Sequence, residues 1–280
     1  MGEPIMSDTL NASQRRAIVE LLQQRSTPVN DILTVDRQTC RSLAKDFDIS
    51  LRDLEILALE EQLLPLPYVR NVHGMSLAEQ LALRKSEAAL VGLGGLGGFV
   101  LELLVRAGIG AVSAADGDVF EEHNLNRQLL SLEDGLGKPK AHAAAERAAQ
   151  LNSAVEVTAQ AEMLDAEGFY RLLQLKDLAV DALGGLEIRR RLHEAAARAE
   201  VPLVTGAVGG EVGYVCTVFP GEEGPLSLWA GELGAEERLG CTPHAVSAVA
   251  AMQCAEAMHI ASGRKPQLRG RLGVMDLQDM

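Results

Sequence analysis

Gly92, Gly94, Gly95 and Gly97 lie between an apolar run, EAALVG, and a stretch of helical period, FVLELLVRAG. A strand that turns at once into a helix needs small residues there, and missing side chains let the first N–H groups of the helix approach a phosphate. Asp116 stands about twenty residues on, at the end of the next apolar run, AVSAAD, where an acid can bind the hydroxyls of a ribose. A glycine loop alone would be weak support, since it serves equally as a packing turn. Followed by an acid at this spacing, it predicts a site for a phosphorylated nucleoside.

Position does not separate NAD from ATP, because both present ribose and phosphate to such a loop. The segment DGDVFEEHNLNRQLL, from Asp116 to Leu130, does separate them. Asp118, His123, Asn124, Arg127 and Gln128 crowd it with hydrogen-bonding groups, and Arg127 offers a planar fork to phosphate oxygens. Hydride transfer has no general need for such a segment. Lys140, in GKPK at the start of a helical stretch, adds a point charge where the helix dipole already favours anions. The balance favours ATP, and an NAD-dependent oxidoreductase rests on the glycine loop alone.

The elements that must hold these groups are strands alternating with helices from Ser86 onward, the pattern of a mostly parallel, doubly wound sheet with helices on both faces. EAALVG, AVSAAD, VEVTAQ, LAVDA and PLVTG read as strands. Helices are predicted over Lys138–Leu151, Glu187–Glu200 and Ala245–Ser262, the last closed by Gly263. Residues 12–63 read instead as short helices, broken by Pro65 and Pro67, and form a small N-terminal appendage over 1–66 ahead of a nucleotide-binding domain over 67–280. Within the appendage, RSLAKDFDISLRDLEILALEEQ has the length of two helices and a turn. A helix-turn-helix is one reading, and packing on the main domain is the preferred one, because the segment holds more acid than base.

Of the 280 residues 47% are hydrophobic, enough for one sizeable core, and aromatics are only 3%. The formal charge of -13 disfavours broad binding to nucleic acid or an anionic membrane. The polar start MGEPIMSDTL has no apolar stretch of signal-peptide length, and no run approaches a membrane span, so a cytoplasmic location is expected. Cys40, Cys216, Cys241 and Cys254 are scattered, without the CxxC pairs of a zinc site. Cys241, in the loop before the last helix, is the one candidate for a reactive thiol, although a structural role is the commoner state. His193, His244 and His259 lack metal-ligand spacing, and Trp229 reads as a packing residue or a lone anchor for a partner.

At this point the chain resembles the ThiF/MoeB/HesA family, relatives of the ubiquitin-activating enzymes. The words that carry the resemblance are GLGGLGG, DGDVFEEHNLNRQ, GKPKA and PLVTGAVGGEVGYVCTVFPG, in family order from about Pro67 to the end, with PYVRN as the family's arginine-containing entry segment. The resemblance implies that Gly92, Gly94, Gly95 and Gly97 hold phosphates and that Asp116 binds ribose. It places Asn124, Arg127, Gln128 and Lys140 around the triphosphate, with Asp118 among the cofactor-binding residues. It implies a homodimer in which Arg70 reaches the neighbouring subunit's nucleotide. The implied activity is ATP-dependent adenylation, with Mg²⁺, of the C-terminal carboxylate of a ubiquitin-like sulfur carrier protein ending in Gly-Gly. Arg70, Arg127 and Lys140 would be its catalytic cations, and the pathways are those of thiamine or molybdenum cofactor. Where the family has a second Asp in a DxxD word, this chain has Gly184, which leaves Asp181, or else Asp118, as the expected metal carboxylate, holding the ion through water. An ATP-binding module with weakened catalysis is the alternative.

Overall fold

The computed structural model describes residues 10–228 and 238–278. Its larger part is a seven-stranded sheet. In chain order the elements are β4 (Glu87–Val91), α5 (Gly95–Ala107), β5 (Ala111–Ala115), α6 (Lys140–Leu151), β6 (Glu156–Gln160), α7 (Ala166–Leu173), β7 (Leu178–Asp181), α8 (Leu186–Ala199), β8 (Leu203–Gly209), β9 (Val212–Val218), α9 (Pro243–Ala261) and β10 (Gly273–Asp276). The order across the sheet is β10-β9-β8-β7-β4-β5-β6. Strands β8, β7, β4, β5 and β6 pair in parallel, while β9 is antiparallel to both its neighbours.

Apolar strands buried on both faces explain why helices must cover the sheet twice. Along β4, Ala88 and Leu90 enter one core with Val100 and Leu104 of α5, Ala144 of α6 and Val249 of α9. Ala89 and Val91 enter the other, with Phe169 of α7 and Leu192 and Ala196 of α8. This period-two alternation sets the orientation of every strand end at the C-terminal edge. The chain leaves β4 toward one layer and β7, its neighbour, toward the other, so a crevice opens between their loops.

The N-terminal unit comprises α1 (Ala12–Gln24), β1 (Thr27–Val29), β2 (Ile32–Val35), α2 (Arg37–Asp46), α3 (Leu51–Glu60) and β3 (Leu64–Pro65), and α4 (Leu77–Lys85) follows it. It differs from the all-helical reading by a three-stranded sheet, β1-β2-β3. The missed hairpin turns at Asn30 and Asp31, whose φ values of 48° and 64° suit a two-residue hairpin turn. Ile18, Leu22, Leu43, Leu54 and Leu57 form this unit's own small core.

The helix-turn-helix reading is corrected by where the cations go. Arg52 of α3 reaches Glu87 at 3.1 Å and Glu156 at 3.0 Å, the first residues of β4 and β6. Arg37 of α2 binds Glu55 and Asn152, and Arg41 donates to Ser153. Fully buried Glu55 also takes Arg84 and the Tyr68 hydroxyl. The basic side chains that would meet DNA therefore fasten the unit to the N-terminal edge of the main sheet. The crevice lies at the opposite edge, about 15 Å of strand away.

Candidate active site

The C-terminal edge holds a cleft of about 360 Å³ whose walls come from the loops after β4, β5, β6 and β7. Gly92, Gly94 and Gly95 form one wall, Asp116, Gly117 and Asp118 the next, and Glu162, Met163 and Leu164 a third. Leu183, Gly184 and Ile188 close the fourth side. Asn124, Arg127, Gln128 and Lys140 also face it, together with His123.

The glycine loop is tight for identifiable reasons. Gly92 has a φ of 91°, and a Cβ there would meet the Ala182 carbonyl oxygen at 2.6 Å. Gly97 is absent from the cleft wall, because it lies one turn into α5, where a Cβ would be 1.9 Å from the Gly92 oxygen. Its role is to let the helix close on its own loop. The result aims the first N–H groups of α5, which have no partner within the helix, at the cleft.

Asp116 ties this loop to the second strand. Its Oδ2 accepts the Leu93 amide at 2.6 Å and its Oδ1 the Asp118 amide at 2.8 Å. Each oxygen keeps further acceptor capacity, the chemistry that two ribose hydroxyls require. Lys140, only 6% exposed, begins α6 and donates from Nζ to Asp118 Oδ2 at 3.1 Å. Asn124 uses its side-chain oxygen to cap the short turn at Glu121. Arg127 Nη1 donates to the His123 carbonyl at 2.8 Å and to Asn126 Oδ1 at 3.1 Å, which holds one prong of its fork against its own loop. Gln128 is 7% exposed, and its Oε1 has no hydrogen-bond partner among the described residues. Met163, Leu164, Phe169, Leu183 and Ile188 give one side of the cleft an apolar surface suited to a flat base.

Besides Gly97, two expected site residues are not in the cleft wall of this chain. Arg70 is exposed in the turn after Tyr68 and is not in this chain's cleft. Asp181 ends β7 with no exposure and is not in the cleft wall either. Its Oδ2 accepts from Arg189 Nε at 2.8 Å and Thr205 Oγ1 at 2.7 Å, and contacts His193 Nε2 at 3.3 Å. Burial alone would raise its pKa, but Arg189, with His193 and Thr205, reverses this and holds the carboxyl well below the usual carboxylate range. A cation would have to displace a guanidinium to reach it, which differs from the metal-ligand role the sequence suggested. Gly184, by contrast, does line the cleft and brings no carboxylate.

Sequence reasoning missed Arg189. Its signal was available: Arg189, Leu192 and Ala196 share one helical face and are buried, whereas Arg190 and Arg191 are not. His244 lies 3.1 Å from Glu211 and His193 3.3 Å from Asp181, whereas the buried His259 Nδ1 has no hydrogen-bond partner among the described residues, with Glu256 at 3.7 Å. Cys241 is half-buried on a bridge to Gly210 and packs against the larger core. Trp229 lies outside the described residues. No cluster of three metal-binding side chains occurs among the described residues, and none of their helices is long and apolar enough to cross a membrane.

A mostly parallel sheet with a glycine-turn crevice at its switch point and an acid following the second strand defines the doubly wound, Rossmann-like class. More narrowly, the ThiF family profile matches residues 68–280, and the chain belongs to that family. It is 36% identical over 198 residues to the sulfur carrier protein ThiS adenylyltransferase of Bacillus subtilis, covering 68% of this chain and 59% of that enzyme. It is 29% identical over 232 residues to the molybdopterin-synthase adenylyltransferase of Escherichia coli, covering 81% of this chain and 90% of that one. The crystal structure of E. coli MccB with ATP is similar in fold, with a TM-score of 0.66 at 19% identity over 86% of this chain and 80% of that one.

Proposed function

We propose that this chain binds ATP in the cleft and adenylates the C-terminal carboxylate of a ubiquitin-like sulfur carrier protein. The observation that carries the reading is the convergence of the α5 N-terminus, Asp116 and Lys140 on one cavity whose wall also includes Gln128. The likeness to a sulfur carrier protein adenylyltransferase and to a molybdopterin-synthase adenylyltransferase supports the substrate class.

In this reaction a carboxylate oxygen bonds to the α-phosphorus, the bond from that phosphorus to the bridging oxygen breaks, and pyrophosphate leaves with the electron pair. Two anions must meet, so the barrier is largely electrostatic. Arg127, Lys140 and the α5 amides supply positive potential around the phosphates, and each such donor can contribute a few kcal/mol to the transition state. Asp116 orients the ribose, which fixes the α-phosphorus relative to the incoming carboxylate. Mg²⁺ favours oxygen ligands and needs only one or two carboxylates beside phosphates, a demand that exposed Asp118 fits and sealed Asp181 does not. When bound, the metal neutralises phosphate charge. Arg70 would act in a homodimer, on the neighbouring subunit's nucleotide.

Exchange of labelled pyrophosphate into ATP, with a carrier ending in Gly-Gly, tests the reading. Carrier-dependent exchange is expected. A second reading, nucleotide binding without adenylation, is favoured by glycine at position 184 in the cleft wall. It predicts saturable ATP binding and no exchange with any carrier.

A further inference from the structure

We infer that Asp181 is a positioning residue for the cleft, acting through the backbone of Leu183 and not as a metal ligand. This rests on the nucleotide-binding reading above. A carboxylate offers about four acceptor positions. Here Oδ1 takes the Leu183 amide at 3.1 Å, and Oδ2 faces Arg189 at 2.8 Å, Thr205 at 2.7 Å and His193 at 3.3 Å. Its own carbonyl accepts Gln253 Nε2 at 2.8 Å. Its charge is matched by Arg189, its Oδ2 is saturated, and its Oδ1, sealed from the cleft, is engaged by the Leu183 amide, so little attraction is left for a cation.

The Leu183 contact connects this buried cluster to function. Residues 182–184 run along the crevice between β4 and β7. The Ala182 amide donates to the Val91 carbonyl at 2.9 Å, and the Ala182 oxygen lies 2.6 Å from where a Gly92 Cβ would be. Leu183 and Gly184 are cleft wall. Asp181 Oδ1 therefore sets the path of the segment that backs the glycine loop. Arg189, from α8, keeps that carboxylate ionised and oriented, and its Nη2 reaches past it to Thr205 Oγ1 at 2.6 Å and the Gly206 carbonyl at 3.0 Å. A buried ion pair is often replaceable by apolar residues at little cost in stability, so stability alone gives no reason for charges here. Orientation of the wall does.

Two variants separate positioning from a merely structural role. Asp181→Leu/Arg189→Met removes both charges and also the acceptor for Leu183. Asp181→Asn keeps that acceptor but leaves Arg189 without its anion. Thermal midpoints and ATP titrations in EDTA are measured for both and for the unmodified protein. The double variant is expected to be the more stable of the two, yet to bind metal-free ATP roughly tenfold more weakly than the unmodified protein. Asp181→Asn is expected to be less stable but to bind more tightly than the double variant. If it does not fold, the double variant alone decides. Unmodified ATP affinity in the folded double variant overturns the inference, as does the same order for stability and affinity. Failure of the unmodified protein to bind ATP would instead remove the nucleotide reading itself.

Discussion

The Asp116 carboxylate accepts the Leu93 amide at 2.6 Å, so the acid that ends β5 also holds the glycine loop that follows β4. One residue thus joins two walls of the cleft, and its free acceptor capacity faces the third. Asp116→Ala should loosen the loop and remove the ribose acceptor together. ATP affinity is expected to fall by roughly ten- to a hundredfold, with little change in thermal midpoint, because Asp116 sits at the sheet's edge and not in its core. Calorimetric titration beside a thermal scan checks this. A large loss of stability with unchanged affinity would contradict the placement.

The glycines divide into two kinds that one substitution distinguishes. A Cβ on Gly94 would meet only the Gln128 side chain, at 3.5 Å, so Gly94→Ala should fold normally and obstruct the phosphates. A Cβ on Gly97 would collide with the Gly92 oxygen at 1.9 Å, so Gly97→Ala must displace backbone. It is expected to lose about 1–3 kcal/mol of stability. Urea melts and ATP titrations of the pair should therefore report a binding defect in the first and a stability defect in the second.

Acid should act through the buried pair. The Asp181 carboxyl is depressed in the folded protein, so its contribution is present above the unfolded-state value near 3.9 and is lost as pH falls toward the folded value. Unfolding free energy should therefore decline below about pH 4. Asp181→Leu/Arg189→Met should lack that component. Urea melts from pH 7 to pH 2 on both proteins measure the difference, and superimposable profiles would contradict it.

Thiol chemistry should be selective. Burial pushes the Cys40 and Cys254 thiols up to about 12, and Cys216 is raised by burial as well. At pH 8 an alkylating reagent is expected to reach half-buried Cys241 first and the other three only after denaturation. Peptide mapping by mass spectrometry reads the order directly.

The main sheet was legible because its strands are short apolar runs bounded by glycine or acid, and because alanine-rich helices such as α6 and α8 show a clear period. β4, β5, α6, α8 and α9 fall within about two residues of the expected ranges. The hairpin of β1 and β2 was hidden because its strands are only three and four residues long and its turn is Asn-Asp, without the glycine that marks such turns. α7 is only eight residues between two loops, and its helical spacing, Phe169, Leu172 and Leu173, spans little more than one turn. In the cleft, groups whose chemistry is specific to phosphate or ribose could be named from type and spacing. The apolar side, Met163, Phe169 and Ile188, could not, since those residues look like any core positions until the strand ends bring them together. Asp181 was expected as a metal carboxylate through the family resemblance, and only the fold shows Arg189 pressed against it.

The central claim is that the glycine loop, Asp116 and the cations beyond it hold one adenine nucleotide. A crystal of this protein soaked with ATP and Mg²⁺ tests it most directly. The account predicts a nucleotide with its ribose hydroxyls within hydrogen-bonding distance of Asp116, its phosphates against the α5 N-terminus and Lys140, and its metal on Asp118 with Asp181 still bound to Arg189. A cleft that stays empty at saturating ATP, or a nucleotide seated elsewhere on the molecule, would contradict it.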